Sequence, residues 1–164
     1  MIVIYTDGST KGNGNKNAVG GYGVVVYQGL DSDRLRIVDA YQEQEVGTTN
    51  NRMEIKAILW AMKNYGQPGQ FFPPIVYSDS MYCVNSFTNW INSWRSNGWR
   101  KSGKKDIEIE NKDLIMEYDS LLRKGYSIDL QYVKGHNETI GNELADSLAT
   151  GALTVQEVLR KYGD

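Results

Sequence analysis

Four acidic residues lie where a carboxylate could hold a metal ion. Asp7 and Asp79 each follow a short apolar run that predicts a buried strand, and Glu54 and Asp146 each lie beside the apolar stripe of a predicted helix. A carboxylate placed against an apolar core costs free energy unless it is paired or binds a cation. Hard divalent cations prefer oxygen ligands and can assist attack at a phosphate. The four positions therefore predict a divalent-metal site that acts on a phosphate ester.

Each of these acidic residues also has a plainer interpretation when it is considered alone. Asp7 and Asp79 could cap the segment that follows each strand. The spacing of Asn51 and Glu54 resembles a capping box, although Glu54 shares a helical face with apolar residues. Asp146 could be an ordinary solvated helix residue. The metal interpretation therefore rests on the four positions together.

Length and composition indicate a single domain. The chain has 164 residues, which is long enough to bury a substantial core, and a net charge of −2. Cys83 is the only cysteine and His136 the only histidine, which excludes an internal disulfide and a Cys/His zinc site. The apolar run at residues 1–5 has no basic flank, so it predicts neither a signal peptide nor a membrane span. These features favour a monomer in the cytoplasm, away from any membrane.

The pattern of apolar residues predicts one α/β domain with the element order βββαβααβα. Three early strands in succession predict an antiparallel meander, and a strand that follows a helical crossover predicts a parallel pair. The helices follow from the 3.6-residue period. The predicted strands cover residues 2–5, 22–27, 35–41, 75–77 and 128–132, and the predicted helices cover residues 52–65, 80–90, 114–122, 142–153 and a short segment that begins at 154.

Four segments in this order resemble the type 1 ribonuclease H family over the whole chain: Thr6-Asp7-Gly8-Ser9, Thr48-Thr49-Asn50-Asn51-Arg52-Met53-Glu54, Ser78-Asp79-Ser80, and Val133-Lys134-Gly135-His136 with Asp146 ten residues later. The resemblance implies a ribonuclease H-like fold, with a five-stranded mixed sheet (an antiparallel meander plus parallel strands) and flanking helices. It also implies two Mg²⁺ ions, for which Mn²⁺ may substitute. The implied activity is cleavage of the RNA strand of an RNA/DNA hybrid to leave 3′-hydroxyl and 5′-phosphate ends.

The same resemblance assigns roles to the acidic residues and to the histidine. It implies that Asp7 contacts both ions, that Glu54 and Asp79 hold the first, and that Asp146 holds the second. His136 would shuttle a proton or help the product leave, because the unperturbed pKa of imidazole lies near neutrality. A surface histidine without a role is the alternative for His136.

The resemblance also suggests how the substrate is recognised. RNA is distinguished from DNA through the 2′-hydroxyl. Candidates for this contact are Asn13, Asn50 and backbone groups around Gly12 and Met81, and candidates for a DNA-strand phosphate are Thr49, Asn51 and Arg52. The family often has glutamine where this chain has Met81, which removes a side-chain amide.

A cluster of cations and aromatic residues suggests a second substrate contact, and we call residues 94–105 the basic arm. Its candidate contact residues are Trp94, Trp99, Arg100, Lys101, Lys104 and Lys105. Cations bind phosphates and aromatic rings stack on bases or sugars. A solvated loop and core packing are the alternatives, and Trp90 is predicted to lie in the core.

Two other functions stay open from the sequence. The chain could be a catalytically inactive module that binds hybrids, or an integrase-like or transposase-like polynucleotidyl transferase. The four acidic residues with the histidine argue against the first, and the short length argues against the second. The acidic region at residues 29–47 is interpreted as a solvated face.

Overall fold

A five-stranded mixed sheet organises the fold. The computed structural model describes residues 1–12, 15–101, 103–134 and 139–163, without the side chain of Lys105. The strands of the sheet are β1 (Ile2–Lys11), β2 (Val19–Gly29), β3 (Leu35–Val46), β4 (Ile75–Ser78) and β7 (Asp129–Tyr132). Their order is β3-β2-β1-β4-β7, with β1, β2 and β3 antiparallel and with β4 parallel to both β1 and β7. The predicted meander and parallel strands are both confirmed.

Helices cover both faces of the sheet, and a small hairpin projects beyond it. The helices are α1 (Asn50–Tyr65), α2 (Met81–Asn85), α3 (Ile91–Ser96), α4 (Lys112–Arg123), α5 (Ile140–Thr150) and α6 (Val155–Tyr162). A π-helical turn, Ser86–Trp90, joins α2 to α3. The hairpin consists of β5 (Arg100–Lys101) and β6 (Lys104–Glu108), and its first part belongs to the basic arm.

Alternation along β2 divides the core into two layers. Val24 belongs to the main core, which also contains Ile58 of α1 and Ile115 of α4. Val25 belongs to the second layer, together with Leu148 of α5 and further residues of α6. Because successive strand residues point to opposite faces, the two neighbouring valines anchor helices on opposite sides of the sheet. The sheet is therefore held between two helical layers.

The early strands are longer than predicted. The first two strands were predicted to cover residues 2–5 and 22–27, but β1 continues to Lys11 through a glycine-containing segment and pairs there with Val19 of β2. Asp7 therefore lies within a strand, opposite Gly23, and not at a strand end. Backbone hydrogen bonds do not depend on side chains, so a continuous partner strand can order residues with weak strand preference.

The helix that begins after β4 is also longer than predicted, and it places Trp90 differently. Trp90 was predicted to be in the core, but its side chain is 44% exposed, whereas Ile91 is buried. The π-helical turn adds one residue to the helical repeat, so Ile91 takes the inward position. The β5–β6 hairpin was absent from the predicted elements because its strands are too short to show an apolar alternation.

Two acidic residues of the region 29–47 form contacts with α1. Asp39 accepts a hydrogen bond from the Tyr65 hydroxyl at 2.6 Å, and Glu45 forms an ion pair with Lys56. These contacts join β3 to α1. The interpretation of this region as a purely solvated face was therefore wrong. Within the described part of the chain, no helix has the length and apolar character needed to cross a membrane.

Candidate active site

Two neighbouring parallel strands bring Asp7 and Asp79 together. Thr6 of β1 pairs with Ser78, which is the last residue of β4, so Asp7 and Asp79 occupy equivalent positions one residue further along. The carboxyl ends of parallel strands form the usual site of chemistry in open α/β sheets. The two carboxylates therefore lie side by side where the parallel pairing of the inner strands β1 and β4 ends.

Gly8 allows α1 to approach β1 closely enough to add a third carboxylate. A Cβ atom at Gly8 would lie 2.5 Å from the backbone nitrogen of Glu54 and 2.7 Å from the carbonyl carbon of Met53. Any larger residue would push the helix away from the strand. The Glu54 side chain is only 7% exposed. Close packing at Gly8 thus places a buried glutamate beside Asp7.

Asp7, Glu54 and Asp79 form an acidic cluster suited to a cation. Each offers a carboxylate oxygen, and these three atoms all lie within 4.8 Å of one another. Among the described residues, Oε2 of Glu54 is buried without a hydrogen-bond partner, whereas Oδ1 of Asp7 accepts a hydrogen bond from the Gly8 amide at 2.9 Å. A buried unpaired carboxylate oxygen is costly unless a cation compensates it. The residues therefore fit a hard divalent cation with oxygen ligands.

The pKa values of all three residues of the acidic cluster are raised above their usual values. Burial, followed by the charge of Asp79, raises the pKa of Asp7 from 3.8 to about 8. Burial and then the charge of Asp7 raise the pKa of Glu54 well above its usual value. Burial is also the largest cause of the raised pKa of Asp79. Crowded carboxylates favour protonation when no cation offsets their repulsion.

Asp146 approaches the acidic cluster from α5 on the other helical layer. A Cβ atom at Gly23, the residue opposite Asp7, would lie 2.3 Å from the Ala145 carbonyl oxygen, so α5 packs directly on this part of the sheet. Asp146 is exposed and is not among the three closely grouped carboxylates. Its interaction with Asp7 nevertheless contributes to the raised pKa of Asp7, after burial and the charge of Asp79.

The observed N-caps of α1 and α2 exclude the capping roles considered for Glu54 and Asp79. The N-cap of α1 is Thr49, whose hydroxyl accepts a hydrogen bond from the Arg52 amide at 3.2 Å. Glu54 is therefore not the partner of a capping box with Asn51. The N-cap of α2 is Ser80, which accepts from the Cys83 amide at 3.1 Å. Asp79 thus precedes the cap and leaves that role to its neighbour.

Three candidate substrate residues lie together at the beginning of α1. They line a cavity of about 540 Å³, whose walls are Thr49, Asn50, Asn51, Glu110 and Asn111. The N-terminus of a helix favours anions, because its first amides lack helical partners. The cavity is therefore placed to receive a phosphate, although Glu110 adds a negative charge to its wall.

Arg52 is engaged by the protein itself. Its two terminal nitrogens donate to the two carboxylate oxygens of Asp113 at 3.0 and 2.8 Å. This pair joins α1 to the first turn of α4, and it accounts for the raised pKa of Arg52. A forked pair of this kind is a strong interaction with fixed geometry. Direct phosphate binding by Arg52 would have to compete with Asp113.

The structure describes only some of the remaining candidate site residues. Met81 begins α2, two residues after Asp79, and its side chain is 50% exposed. Gly12 has the positive φ of 74° that favours glycine. Asn13 and His136 lie outside the described residues, so their predicted roles are carried by the sequence alone.

The aromatic residues of the basic arm are less exposed than a substrate-stacking role requires. Trp94 and Trp99 are partly buried and pack against the main core. Trp99 has a φ of 66°, and its backbone accepts a hydrogen bond from the Ile109 amide at 3.0 Å. Lys101 lies 3.7 Å from a carboxylate oxygen of Glu110, and Lys104 is exposed. The tryptophans thus hold the arm on the core while the arm presents its cations.

Residues that sequence reasoning missed become evident only through contacts. Asp113 lies 61 positions from Arg52, and no local pattern links the two. Glu110 and Asn111 were unremarkable polar residues until they appeared in the cavity wall. Asn142, one helical turn before Asp146, is 5% exposed, and its buried Oδ1 has no hydrogen-bond partner in the part of the chain that the structure describes. The four-residue spacing from Asp146 was the one signal that the sequence contained.

Comparisons with known proteins agree with this geometry. A family model described as RNase H matches residues 1–154. Ribonuclease H of Francisella tularensis subsp. novicida is 37% identical over 153 residues, covering 93% of this chain and 90% of that protein. LC9-RNase H1, described as a type 1 RNase H with the type 2 active-site motif, is 32% identical with a TM-score of 0.75, over 92% of this chain and 71% of that one. A foamy viral protease-reverse transcriptase, solved in complex with RNA/DNA hybrid, is 27% identical with a TM-score of 0.71, over 92% of this chain and 19% of that one.

The family match extends over nearly the whole chain and includes every element that carries the acidic cluster. Membership of one family accounts for both the five-stranded sheet and the acidic cluster beside its inner strands. The chain belongs to the RNase H family.

Proposed function

We propose that the protein is a metal-dependent endonuclease that hydrolyses the RNA strand of RNA/DNA hybrids and leaves 3′-hydroxyl and 5′-phosphate ends. The observation that carries the proposal is the acidic cluster, which β1, α1 and the end of β4 assemble in a chain that belongs to the RNase H family. The foamy viral relative in complex with RNA/DNA hybrid supports the choice of substrate.

Two Mg²⁺ ions are the proposed cofactors, and Mn²⁺ may substitute for them. Asp7 would contact both ions, Glu54 and Asp79 the first, and Asp146 the second. When bound, the ions would supply activation of the attacking water and stabilisation of the departing 3′-oxygen. The carboxylate-only donor set supports Mg²⁺, which prefers oxygen ligands. His136 would take up or release the proton that accompanies this step.

Other residues of this chain would bind and orient the hybrid. The cavity at the start of α1 would receive a DNA-strand phosphate through Thr49, Asn51 and the helix amides, with Arg52 positioned by Asp113 at its side. Asn13, Asn50 and the backbone near Met81 would contact the 2′-hydroxyl that distinguishes RNA.

The basic arm would bind phosphates further along the duplex. Its proposed contacts are Trp94, Trp99, Arg100, Lys101, Lys104 and Lys105. In this proposal the cations bind the phosphates, and the half-buried tryptophans contact the substrate only through the exposed edges of their rings. The proposed organisation is one catalytic domain over residues 1–164 with the arm as its protrusion. The buried free thiol of Cys83 supports a reducing, cytoplasmic setting, and we expect a monomer.

Cleavage of labelled substrates tests the proposal. With Mg²⁺, the protein should cut RNA in RNA/DNA hybrid but leave double-stranded DNA and double-stranded RNA intact, and excess chelator should stop the reaction. Asp7→Asn should remove nearly all turnover while hybrid binding survives. Asp129→Asn is the matched control, because Asp129 is exposed at the opposite end of the parallel strands, and it should keep full activity.

Different results would select the other functions. Tight hybrid binding without cleavage in any divalent ion would indicate a binding module. Joining or cutting of double-stranded DNA would indicate a polynucleotidyl transferase. Robust cleavage in chelator, or normal turnover by Asp7→Asn, would refute the metal site.

A further inference from the structure

Arg95 lies in the last turn of α3, directly before the exposed part of the basic arm, but its guanidinium is held by the protein. Its Nε donates to Oδ1 of Asp119 at 2.8 Å, and its Nη2 pairs with the same oxygen. Its Nη1 donates to Oδ1 of Asn92 at 2.9 Å. All three guanidinium nitrogens therefore have a protein partner. The sequence alone had placed Arg95 among the cations of the arm.

Asp119 is a fully buried carboxylate of α4, and Arg95 supplies its hydrogen bonds. The other oxygen, Oδ2, has no hydrogen-bond partner among the described residues and lies 3.3 Å from Nε of Arg123. Removing one partner of a buried pair leaves a charge without compensation. Arg123 belongs to the same helix as Asp119, four residues later, so its ion pair connects nothing beyond α4. Arg95 is the partner that connects α4 to α3.

The orientation of the basic arm depends on α3. α3 forms the last six residues of the continuous helical segment 81–96, and Ile91 is its one buried residue. From its end the chain passes through Gly98 and Trp99, both with positive φ, into β5. The Trp99 amide donates to the Trp94 carbonyl at 2.8 Å, which joins the start of the arm directly to α3. A change in the direction of α3 would therefore move the β5–β6 hairpin.

We propose that Arg95 and Asp119 are positioning residues for substrate binding: their ion pair locks α3 onto α4 and aims the cations of the basic arm at the phosphates. Arg95 does not itself contact the substrate. The inference rests on the proposed function, because it requires that the arm binds the hybrid.

Two substitutions provide a matched comparison. Arg95→Met and Arg123→Met each remove one positive charge and one partner of Asp119, but only the first removes the connection to α3. Arg95→Met should raise the KM for hybrid on the order of tenfold, the effect of losing one charge-assisted contact to a phosphate. The kcat should stay unchanged. The slope of log affinity against log salt should become shallower by about 0.9 for each lost phosphate contact. Arg123→Met should keep the KM, the kcat and the salt slope of the wild type.

Asp119→Asn distinguishes positioning from direct contact. If Arg95 bound a phosphate, releasing it from Asp119 would leave hybrid binding unchanged or strengthen it. Positioning requires that Asp119→Asn weakens binding as Arg95→Met does, and that the double variant is no weaker than either single variant. If Asp119→Asn does not fold, Arg95→Lys carries the test, because it keeps the charge without the forked geometry. Its KM should lie between those of the wild type and Arg95→Met.

Hydrogen exchange of the free protein gives a readout that needs no substrate. Amides of residues 99–108 should exchange faster in Arg95→Met than in the wild type, and Arg123→Met should leave them unchanged. If wild-type protein failed to cleave hybrid while this exchange pattern held, the proposed function would fail and the ion-pair lock would stand. Equal exchange in the two arginine variants, or an unchanged KM in Arg95→Met, would overturn the inference.

Discussion

Without metal, the acidic cluster should make the protein less stable, and Asp7→Asn should relieve this cost. Asn has nearly the shape of Asp, and its Oδ1 can still accept the 2.9 Å hydrogen bond from the Gly8 amide. The substitution removes the negative charge that Glu54 and Asp79 repel. We therefore expect Asp7→Asn to raise the free energy of unfolding in chelator.

The size of the effect follows from the pKa of Asp7. Burial and the charge of Asp79 raise it from 3.8 to about 8. At about 1.36 kcal/mol per pKa unit, this difference destabilises the folded protein at pH 8 by on the order of 5 kcal/mol. The Asn amide is still buried, at a cost of about 1 to 3 kcal/mol. The net gain should therefore be about 2 to 4 kcal/mol.

The gain should depend on pH with a defined sign. The folded protein holds a proton on Asp7 up to about pH 8, whereas the unfolded chain releases it near pH 4. Between these values the unfolded chain binds fewer protons, so the stability of the wild type falls as pH rises. The advantage of Asp7→Asn should therefore be largest at and above pH 8 and should vanish between about pH 4.5 and 6, where the remaining charge cost equals the cost of about 1 to 3 kcal/mol for burying the amide.

Urea unfolding at pH 4, 6 and 8 in chelator measures this advantage, and repeating it in Mg²⁺ should narrow the difference, because the ion stabilises mainly the wild type. Asp119→Asn is the control, since it neutralises a buried aspartate that is paired with Arg95 and Arg123. It should lower stability, because both arginines lose their counter-charge. If Asp7→Asn were less stable than wild type at pH 8 in chelator, the carboxylate would be a structural group and the electrostatic argument would be refuted.

Three further predictions concern catalysis, binding and stability. His136→Ala should slow turnover about 10²-fold, the usual effect of losing a positioned proton-transfer group; single-turnover rates equal to wild type from pH 6 to 9 would make His136 a surface residue. Replacing Arg100, Lys101, Lys104 and Lys105 together with Ala should raise the KM and reduce the salt slope of hybrid binding by about 0.9 for each lost phosphate contact; titrations with unchanged affinity and slope would show that the arm is only a solvated loop. Thr49→Ala should lower the free energy of unfolding by about 1 kcal/mol through loss of the α1 cap, whereas Thr49→Ser should keep it; equal stability of the two variants would argue against the cap.

The sequence determined the sheet topology and the acidic cluster in outline. Apolar alternation and the 3.6-residue period are local properties, so they revealed the meander, α1 and the parallel strands. Because Asp7 and Asp79 each follow an apolar run that predicts a strand, their proximity on neighbouring strands could be expected. The segment around Glu54 was specific enough to indicate a family. Strand ends were less predictable, because pairing with a neighbour carried β1 through a glycine-rich segment to Lys11.

Only the tertiary structure decided which positively charged side chains are available to bind a substrate phosphate. Arg52 and Arg95 look like free cations in the sequence, but Asp113 and Asp119 hold them through contacts that are 61 and 24 positions apart. Trp90 is exposed because the π-helical turn adds one residue to the helical repeat, so that Ile91 points into the core instead. Pairing and burial depend on how the elements pack, and a one-dimensional pattern does not contain distances between remote side chains. The acidic residues could therefore be identified from the sequence, whereas the partners of the cations had to be found in the fold.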